Sequence, residues 1–176
     1  LRHHMTFLQN CIAENKRDQA LEYIHQICTD IDNSCVIKYC KNEALNLILS
    51  SYADQAKESG IDVRISVTAT NFTRFQITDL CSLFANALEN AIHACEKIPT
   101  SEKRYITLKV FEKNDRICIN IANNYIQNPV FENEIPTSRE ANHGIGVRSM
   151  ISVVEKYHGV YGFFTENKEF RFQASL

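Results

Sequence analysis

The sequence lacks both an excess of one charge and any long apolar run. Its 176 residues carry 19 Lys and Arg against 21 Asp and Glu, a formal net charge of −2. This balance argues against a general nucleic-acid binder, because such proteins present a basic face to phosphates. No apolar stretch reaches the ~18 residues that a membrane-spanning helix requires, and no signal peptide is recognisable. The 44% hydrophobic content instead predicts a globular core.

The sequence also lacks the cysteine spacings of zinc sites and disulfide frameworks. The seven cysteines are odd in number, none belongs to a CxxC pair, and several lie in apolar helical patterns. These features favour reduced thiols in a cytosolic setting. Cys35 and Cys40, with His25 nearby, fit no zinc pattern.

The chain is expected to divide after residue 37. Residues 1–14 and 19–31 carry apolar side chains at helical spacing, and the polar stretch NKRD at 15–18 separates them. Two helices with so short a connection predict an antiparallel hairpin. A second copy of the hairpin would cover its apolar stripes, which predicts a dimer. Since the sequence begins inside this helical pattern without an initiator Met, we expect it to be part of a longer protein.

The region 38–176 predicts an α+β sandwich, a mixed sheet with helices on one face. Helices are expected over 42–59, 78–97 and 144–159, and strands over 61–69, 106–112, 116–122, 160–165 and 169–176. Residues 123–143 show no strong period. They are interpreted as a long loop, which in a compact domain is usually functional.

Two asparagines interrupt an otherwise apolar helix, LFANALENAIHACEKI. Asn86 and Asn90 lie four residues apart at the border of the face expected to be buried, formed by Leu80, Leu83, Phe84, Ala87, Leu88, Ala91 and Ala94. A buried amide without a partner costs about 1–3 kcal/mol. Either these amides bond neighbouring backbone, or they receive a hydrated cation and phosphate oxygens, since an amide carbonyl is a hard ligand that suits Mg²⁺.

A glycine pair marks the next junction between loop and helix, HGIGVRSM at 143–150. Glycine allows backbone N–H groups to approach an anion, and a helix N-terminus adds partial positive charge. Neither motif is specific alone. An asparagine-bearing helix, a hairpin, a long polar loop and this glycine pair, in that order, are much more specific.

NALENAIHA and GIGVRSM resemble the N-box and the second glycine box of the GHKL superfamily. This superfamily includes histidine kinases, DNA gyrase, mismatch-repair ATPases and heat-shock chaperones. Over nearly the whole chain the sequence is most similar to sensor histidine kinases of the peptide quorum-sensing type, the AgrC- and NatK-like group. The resemblance implies a Bergerat-type ATP-binding catalytic domain over 38–176, preceded by a partial phosphoacceptor hairpin over 1–37.

The resemblance also implies the roles of individual residues. Asn90 would hold Mg²⁺, and Asn86 would contact phosphate or the water shell of the metal. Arg139 would be the cation of the lid that meets the triphosphate, and His143, beside the glycines, would touch phosphate. The end of the lid would wrap the ATP triphosphate with Gly144, Ile145, Gly146 and Val147.

The first glycine box of the family, Asp-x-Gly-x-Gly, is missing. Asn123 stands at the position of the aspartate, in Asn123-Asn124-Tyr125, and its carbonyl would accept from the adenine amino group. A neutral amide is a weaker acceptor than a carboxylate, so this departure puts the affinity for adenine in question.

The resemblance separates a kinase from a hydrolase at one position. Hydrolysing relatives carry a water-activating glutamate where this chain has Asn86, which cannot act as a general base. Glu89, about 100° around the helix from Asn90, is a secondary acid–base candidate or a simple surface carboxylate. The phosphoacceptor is either His3, in LRHHM, or a histidine upstream of Leu1. His25, His93 and His158 are expected at the surface or in helix caps.

These observations predict the cytoplasmic kinase region of a two-component sensor histidine kinase. It would bind Mg²⁺ and ATP and transfer the γ-phosphate to a histidine for relay to a response regulator. It would form a homodimer through its N-terminal helices, with an upstream membrane sensor domain in the parent protein and no role for nucleic acid. The alternative is a degenerate, non-catalytic dimeric scaffold or phosphotransferase. The missing glycine box supports this alternative.

Overall fold

The computed structural model describes residues 11–12, 14, 16–21, 38–137 and 144–176. The chain divides into two compact units, residues 1–37 and 38–176. In the first unit Cys11 and Ala20 are buried, but most of the expected hairpin, including His3 and His25, lies outside the described residues. The interpretation of the two units as a dimerisation hairpin and a catalytic domain stays a prediction.

Three helices of the second unit lie close to the ranges expected from the sequence: α1 (Glu43–Glu58), α2 (Ile77–Glu96) and α3 (Gly144–Lys156). Helix α1 begins where the side chain of Asn42 accepts a hydrogen bond from the N–H of Leu45 at 3.1 Å. Helix α3 ends earlier than expected, because His158 takes a left-handed backbone conformation with φ of 53°. Among the described residues, no helix is long and apolar enough to cross a membrane.

In the part of the chain that the structure describes, seven strands form two sheets: β1 (Asp62–Val67), β2 (Tyr105–Lys113), β3 (Arg116–Asn124), β4 (Val130–Glu132), β5 (Ile135–Thr137), β6 (Val160–Glu166) and β7 (Glu169–Ser175). The main sheet has the order β1-β2-β3-β7-β6. Its first pair is parallel, and the other three pairs are antiparallel. The predicted mixed α/β sandwich is therefore confirmed.

The expectation of an irregular loop over 123–143 is wrong in its central part. Strand β3 continues to Asn124, and β4 and β5 form a separate antiparallel hairpin. The hairpin closes through Asn133 and Glu134, which both have positive φ, the geometry that two-residue hairpin turns require. Strands of three residues are too short to produce a recognisable period in the sequence, and 138–143 lie outside the described residues.

The core fills the space between the helices and one face of the main sheet. In β2 the alternate residues Ile106, Leu108 and Val110 are buried, as the period of a strand requires. The residues expected on the buried face of α2 are buried too, with one exception. Ala94 is only half-buried, because it lines the cavity described below.

A glycine substitution tests the packing at the end of α3. A Cβ on Gly159 would lie 2.6 Å from the Ser175 carbonyl oxygen and 2.8 Å from Cγ1 of Val154. We expect Gly159→Ala to lower the free energy of unfolding by about 1–3 kcal/mol, the usual cost of overpacking. Gly162→Ala is the matched control, because a Cβ there meets nothing within 4 Å. Equal stabilities of the two variants in urea unfolding would contradict this packing.

Candidate functional site

A cavity of about 340 Å³ is lined by residues of α2, α3, the main sheet and the segment around β4 and β5. Helix α2 contributes Ala87, Asn90, Ala91, His93 and Ala94, its C-cap is Lys97, and α3 contributes Val147 and Met150. The sheet and the connecting segment contribute Ile121, Asn123, Tyr125, Gln127, Asn128, Pro129, Val130, Pro136, Thr137, Phe163, Phe170 and Phe172. Most of this lining is apolar, with a few polar groups, which is the usual composition of a small-molecule site.

Aromatic rings form one wall of the cavity. The rings of Phe163 and Phe172 stack with centroids 5.0 Å apart, and Phe170 lies 6.2 Å from Phe163. Phe131 of β4 stacks on Phe170 at 6.3 Å, so the small hairpin is attached to this wall. A wall of packed rings presents flat apolar surface to a flat ligand.

Asn123 adds a polar group to the cavity, and its orientation is fixed. The side chain is 2% exposed, and its Nδ2 donates to the carbonyl of Asn124 at 2.9 Å. Asn124 is held in turn, since its Oδ1 accepts from the N–H of Tyr105 at 2.9 Å and its Nδ2 donates to the carbonyl of Lys103 at 2.7 Å. The Oδ1 of Asn123 is thus the side-chain acceptor available to a ligand.

Gly146 packs directly against the two asparagines of α2. A Cβ added to Gly146 would lie 3.1 Å from Oδ1 of Asn86 and 3.7 Å from Nδ2 of Asn90. The first contact is closer than nearly all real Cβ contacts, so glycine permits an approach that any other residue would hinder. The two amides and the glycine turn, far apart in the sequence, are brought together as the sequence analysis expected.

The amide groups of both asparagines have partners on their nitrogen side. Nδ2 of Asn86 donates to the Ser82 carbonyl at 2.8 Å and lies 3.2 Å from the Ser82 hydroxyl. It also lies 3.4 Å from the hydroxyl of Ser149 on α3. Nδ2 of Asn90 contacts Sδ of Met150 at 3.9 Å. The two interpretations left open by the sequence are therefore compatible: one end of the Asn86 amide bonds neighbouring backbone, and its oxygen stays available.

The residues predicted to bind the triphosphate at the start of α3 differ in their exposure to solvent. Gly144 begins the helix. Val147 is buried and lines the cavity. Ile145, by contrast, is 69% exposed, so the side chain of this residue lies at the surface and only its backbone could face a bound group.

The placement of Glu89 differs from that of Asn90. Glu89 is exposed and does not line the cavity. The pKa of Tyr52, on α1, is raised mainly by burial and secondly by the negative charge of Glu89. The other predicted site residues, His3, Arg139 and His143, lie outside the described residues.

The sequence analysis missed several residues of the cavity. His93 lines it, although a surface or capping position was expected, and so does Lys97, the C-cap residue of α2. Both follow Asn90 at spacings of three and seven, so the period of a helix could have placed them on the same face. No local pattern marks Tyr125 or the phenylalanines of β6 and β7 as lining residues, because sheet pairing brings them together.

Hydrogen bonds attach the far end of α3 to the start of α2. The Asp79 carboxylate accepts from Nζ of Lys156 at 2.7 Å and from the Tyr157 hydroxyl at 2.6 Å. The hydrogen bond from Lys156 and, to a smaller extent, the one from Tyr157 hold the pKa of Asp79 below its ordinary value. The Tyr157 hydroxyl also accepts from the N–H of Gln76 at 2.8 Å, and its ring packs edge-on against Phe75. This network joins α3 to α2 at the opposite end of α3 from Gly146.

Comparisons with known proteins agree with this architecture. The family model of the GHKL domain matches residues 75–176. No curated protein matches the sequence. The fold is similar to the catalytic domain of the histidine kinase ThkA, with a TM-score of 0.61 at 14% identity over 77% of this chain and 91% of that one.

Two further solved structures share the fold. The mycobacterial sensor histidine kinase MprB gives a TM-score of 0.56 at 14% identity, over 75% of this chain and 94% of that one. The Acinetobacter baumannii histidine kinase AdeS gives 0.58 at 9% identity, over 100% of this chain and 95% of that one.

The Asp79 network predicts a pH-dependent contribution to stability. Folding lowers the pKa of Asp79, so the ionised carboxylate stabilises the folded state at pH values above its ordinary pKa of 3.8. This stabilisation is lost as the pH falls through the lower pKa of the folded protein. We expect Asp79→Asn to be less stable than the wild type near neutral pH, with the difference shrinking below pH 3.8. Urea unfolding across this range measures it. A constant difference would contradict the pKa shift, and Glu155→Gln, at an exposed position of α3, is the control.

Proposed function

The chain belongs to the GHKL domain family, and from this membership we propose that it is the ATP-binding kinase region of a two-component sensor histidine kinase. Mg²⁺ and ATP bind at the cavity, and the γ-phosphoryl group is transferred to a histidine and relayed to an aspartate of a response regulator. One observation carries the proposal above all. It is the approach of Gly146 to Asn86 and Asn90 beside an aromatic-walled cavity.

The cavity fits a nucleotide base. Its volume of about 340 Å³ falls within the ~300–1,000 Å³ of typical small-molecule sites. The stacked rings of Phe163 and Phe172 offer flat apolar surface to a purine. Oδ1 of Asn123 provides an acceptor for the adenine amino group, since its Nδ2 is engaged by the Asn124 carbonyl.

The donors beside the cavity fit a cation that keeps most of its water. Among the described residues, no group of three or more His, Cys, Asp or Glu side chains is placed to hold a metal ion. The amide oxygens of Asn86 and Asn90 are hard ligands, and Mg²⁺ binds proteins through few ligands while retaining several waters. When bound, the ion would neutralise charge on the phosphate oxygens.

The start of α3 fits the triphosphate. Its first backbone N–H groups have no partners within the helix, and the helix dipole favours an anion there. The absence of a side chain at Gly146 allows this end to approach Asn86 and Asn90 closely. Arg139 and His143 as lid contacts stay predictions.

The amide at position 86 favours transfer over hydrolysis. Asn86 holds its Nδ2 against Ser82 and has no basic atom with which to deprotonate water. Glu89 is exposed and lies outside the cavity residues, so the proposal assigns it no proton transfer. The γ-phosphoryl group is then left for an imidazole, either His3 or a histidine upstream of Leu1.

The wider assignment follows from the motifs. The helix ALNLILSSYADQAKESGI at 44–61 and the missing first glycine box support membership of the AgrC- and NatK-like group, and with it a homodimer through the N-terminal helices. The same group membership supports an upstream sensor domain and a position on the cytoplasmic side of a membrane. The separate unit formed by residues 1–37 supports a distinct N-terminal module.

A second candidate is a nucleotide-free dimeric scaffold or phosphotransferase with the same fold. Asn124 favours it, because this residue extends β3 and bonds to Tyr105 and Lys103 where the family has a glycine-rich turn. This candidate predicts no binding of ATP at millimolar concentration, whereas the kinase proposal predicts binding.

Calorimetric titration with a non-hydrolysable ATP analogue and Mg²⁺ tests the proposal. We expect binding by the wild type and an affinity at least about tenfold lower for Asn90→Ala, about 1.4 kcal/mol, because a ligand to the cation is lost. Asn120→Ala is the matched control, since Asn120 lies on the sheet face away from the helices. Equal affinities of wild type and Asn90→Ala, or no binding by the wild type, would contradict the proposal.

The orientation of Asn123 predicts a preference for adenine. With Nδ2 engaged by the Asn124 carbonyl, Oδ1 accepts from the adenine amino group and is repelled by the carbonyl oxygen that guanine has at that position. We expect ATP to compete for the site at least about tenfold better than GTP, the effect of a mispaired buried polar group. Equal competition by the two nucleotides would show that Asn123 does not read the base.

A further inference from the structure

We propose that Ser82 and Ser149 are positioning residues that hold the Asn86 amide with its oxygen toward Gly146. Asn86 then serves the divalent cation or its bound water and does not donate to phosphate. This inference rests on the proposed binding of Mg²⁺ and ATP and specifies which end of the amide the ligand meets.

The orientation of the amide follows from its closest contact. The Ser82 carbonyl oxygen lies 2.8 Å from Nδ2 of Asn86, and a carbonyl oxygen can only accept a hydrogen bond. Rotating the amide by half a turn would bring two acceptor oxygens together at this distance, which is repulsive. The nitrogen therefore stays on the Ser82 side.

The serine hydroxyls reinforce this orientation from two helices. They lie 3.2 Å (Ser82) and 3.4 Å (Ser149) from the same Nδ2, and 3.3 Å from each other. The contact between the hydroxyls joins α2 to α3. The orientation of the Asn86 amide is thus coupled to the position of α3, the helix that carries Gly146.

The available end of the amide determines what it can bind. Oδ1 of Asn86 is the atom nearest to the open position at Gly146, 3.1 Å from where a Cβ would be. A carbonyl oxygen attracts a cation or a water proton and repels the oxygens of a phosphate. Asn90 has its Nδ2 near the same point, at 3.7 Å, and its oxygen, at the other end of that amide, is the proposed ligand of the cation.

The test separates the effect of the cation from that of the nucleotide. The affinity for a non-hydrolysable ATP analogue is measured by calorimetry with excess Mg²⁺ and again in EDTA, for wild type and for the double variant Ser82→Ala/Ser149→Ala. We expect the affinity in EDTA to be unchanged and the gain in affinity from Mg²⁺ to fall by about tenfold, typical of losing a residue that orients a metal ligand. Ser152→Ala, at an exposed serine of α3, is the control.

A conservative variant distinguishes positioning from general packing. Ser149→Thr keeps the hydroxyl and should restore most of the Mg²⁺-dependent gain that Ser149→Ala loses. If Mg²⁺ raises the affinity of the double variant as much as that of the wild type, the inference is overturned. It is also overturned if the double variant loses the same affinity with Mg²⁺ and in EDTA. A loss of folding in both Ser149 variants, detected by thermal unfolding, would overturn it as well. Failure of the wild type to bind the analogue would instead overturn the proposed function.

Discussion

The close approach of α3 to the amide face of α2 is the constraint on which the site depends. A side chain at position 146 would press on Oδ1 of Asn86, so glycine is what allows the two helices to meet there. The contact places a helix N-terminus, which favours anions, beside two amides, which favour a cation. A phosphate group bound to a metal ion satisfies both preferences at once.

The rest of the domain keeps this contact in register. Helix α2 buries its apolar face against the sheet, and Leu80, Leu83 and Phe84 are almost fully enclosed. At the other end of α3, Asp79 bonds to Lys156 and Tyr157. Both helices that meet at Gly146 are therefore also held by contacts outside the cavity, α2 on the core and α3 at its far end.

The sequence predicted most helices and strands, because their periods are local signals, and the family resemblance implied that the two motifs act on one ligand. The helical period of α2 set Asn86 and Asn90 at the border of the core, and the glycine pair set the start of α3. The hairpin β4–β5 was missed because three-residue strands produce no period. The aromatic wall was missed because Phe163 and Phe172 become neighbours only through the pairing of β6 with β7, which is a property of the sheet.

The convergence of Asn86 and Asn90 on one metal-bound triphosphate is most directly tested by NMR of their side-chain amides. In ¹⁵N-labelled protein, both Nδ2 resonances should shift on titration with Mg²⁺ and a non-hydrolysable ATP analogue, with the same midpoint and in parallel with the backbone amide of Gly146. Shifts confined to one asparagine, or to residues distant from α3, would contradict a shared site.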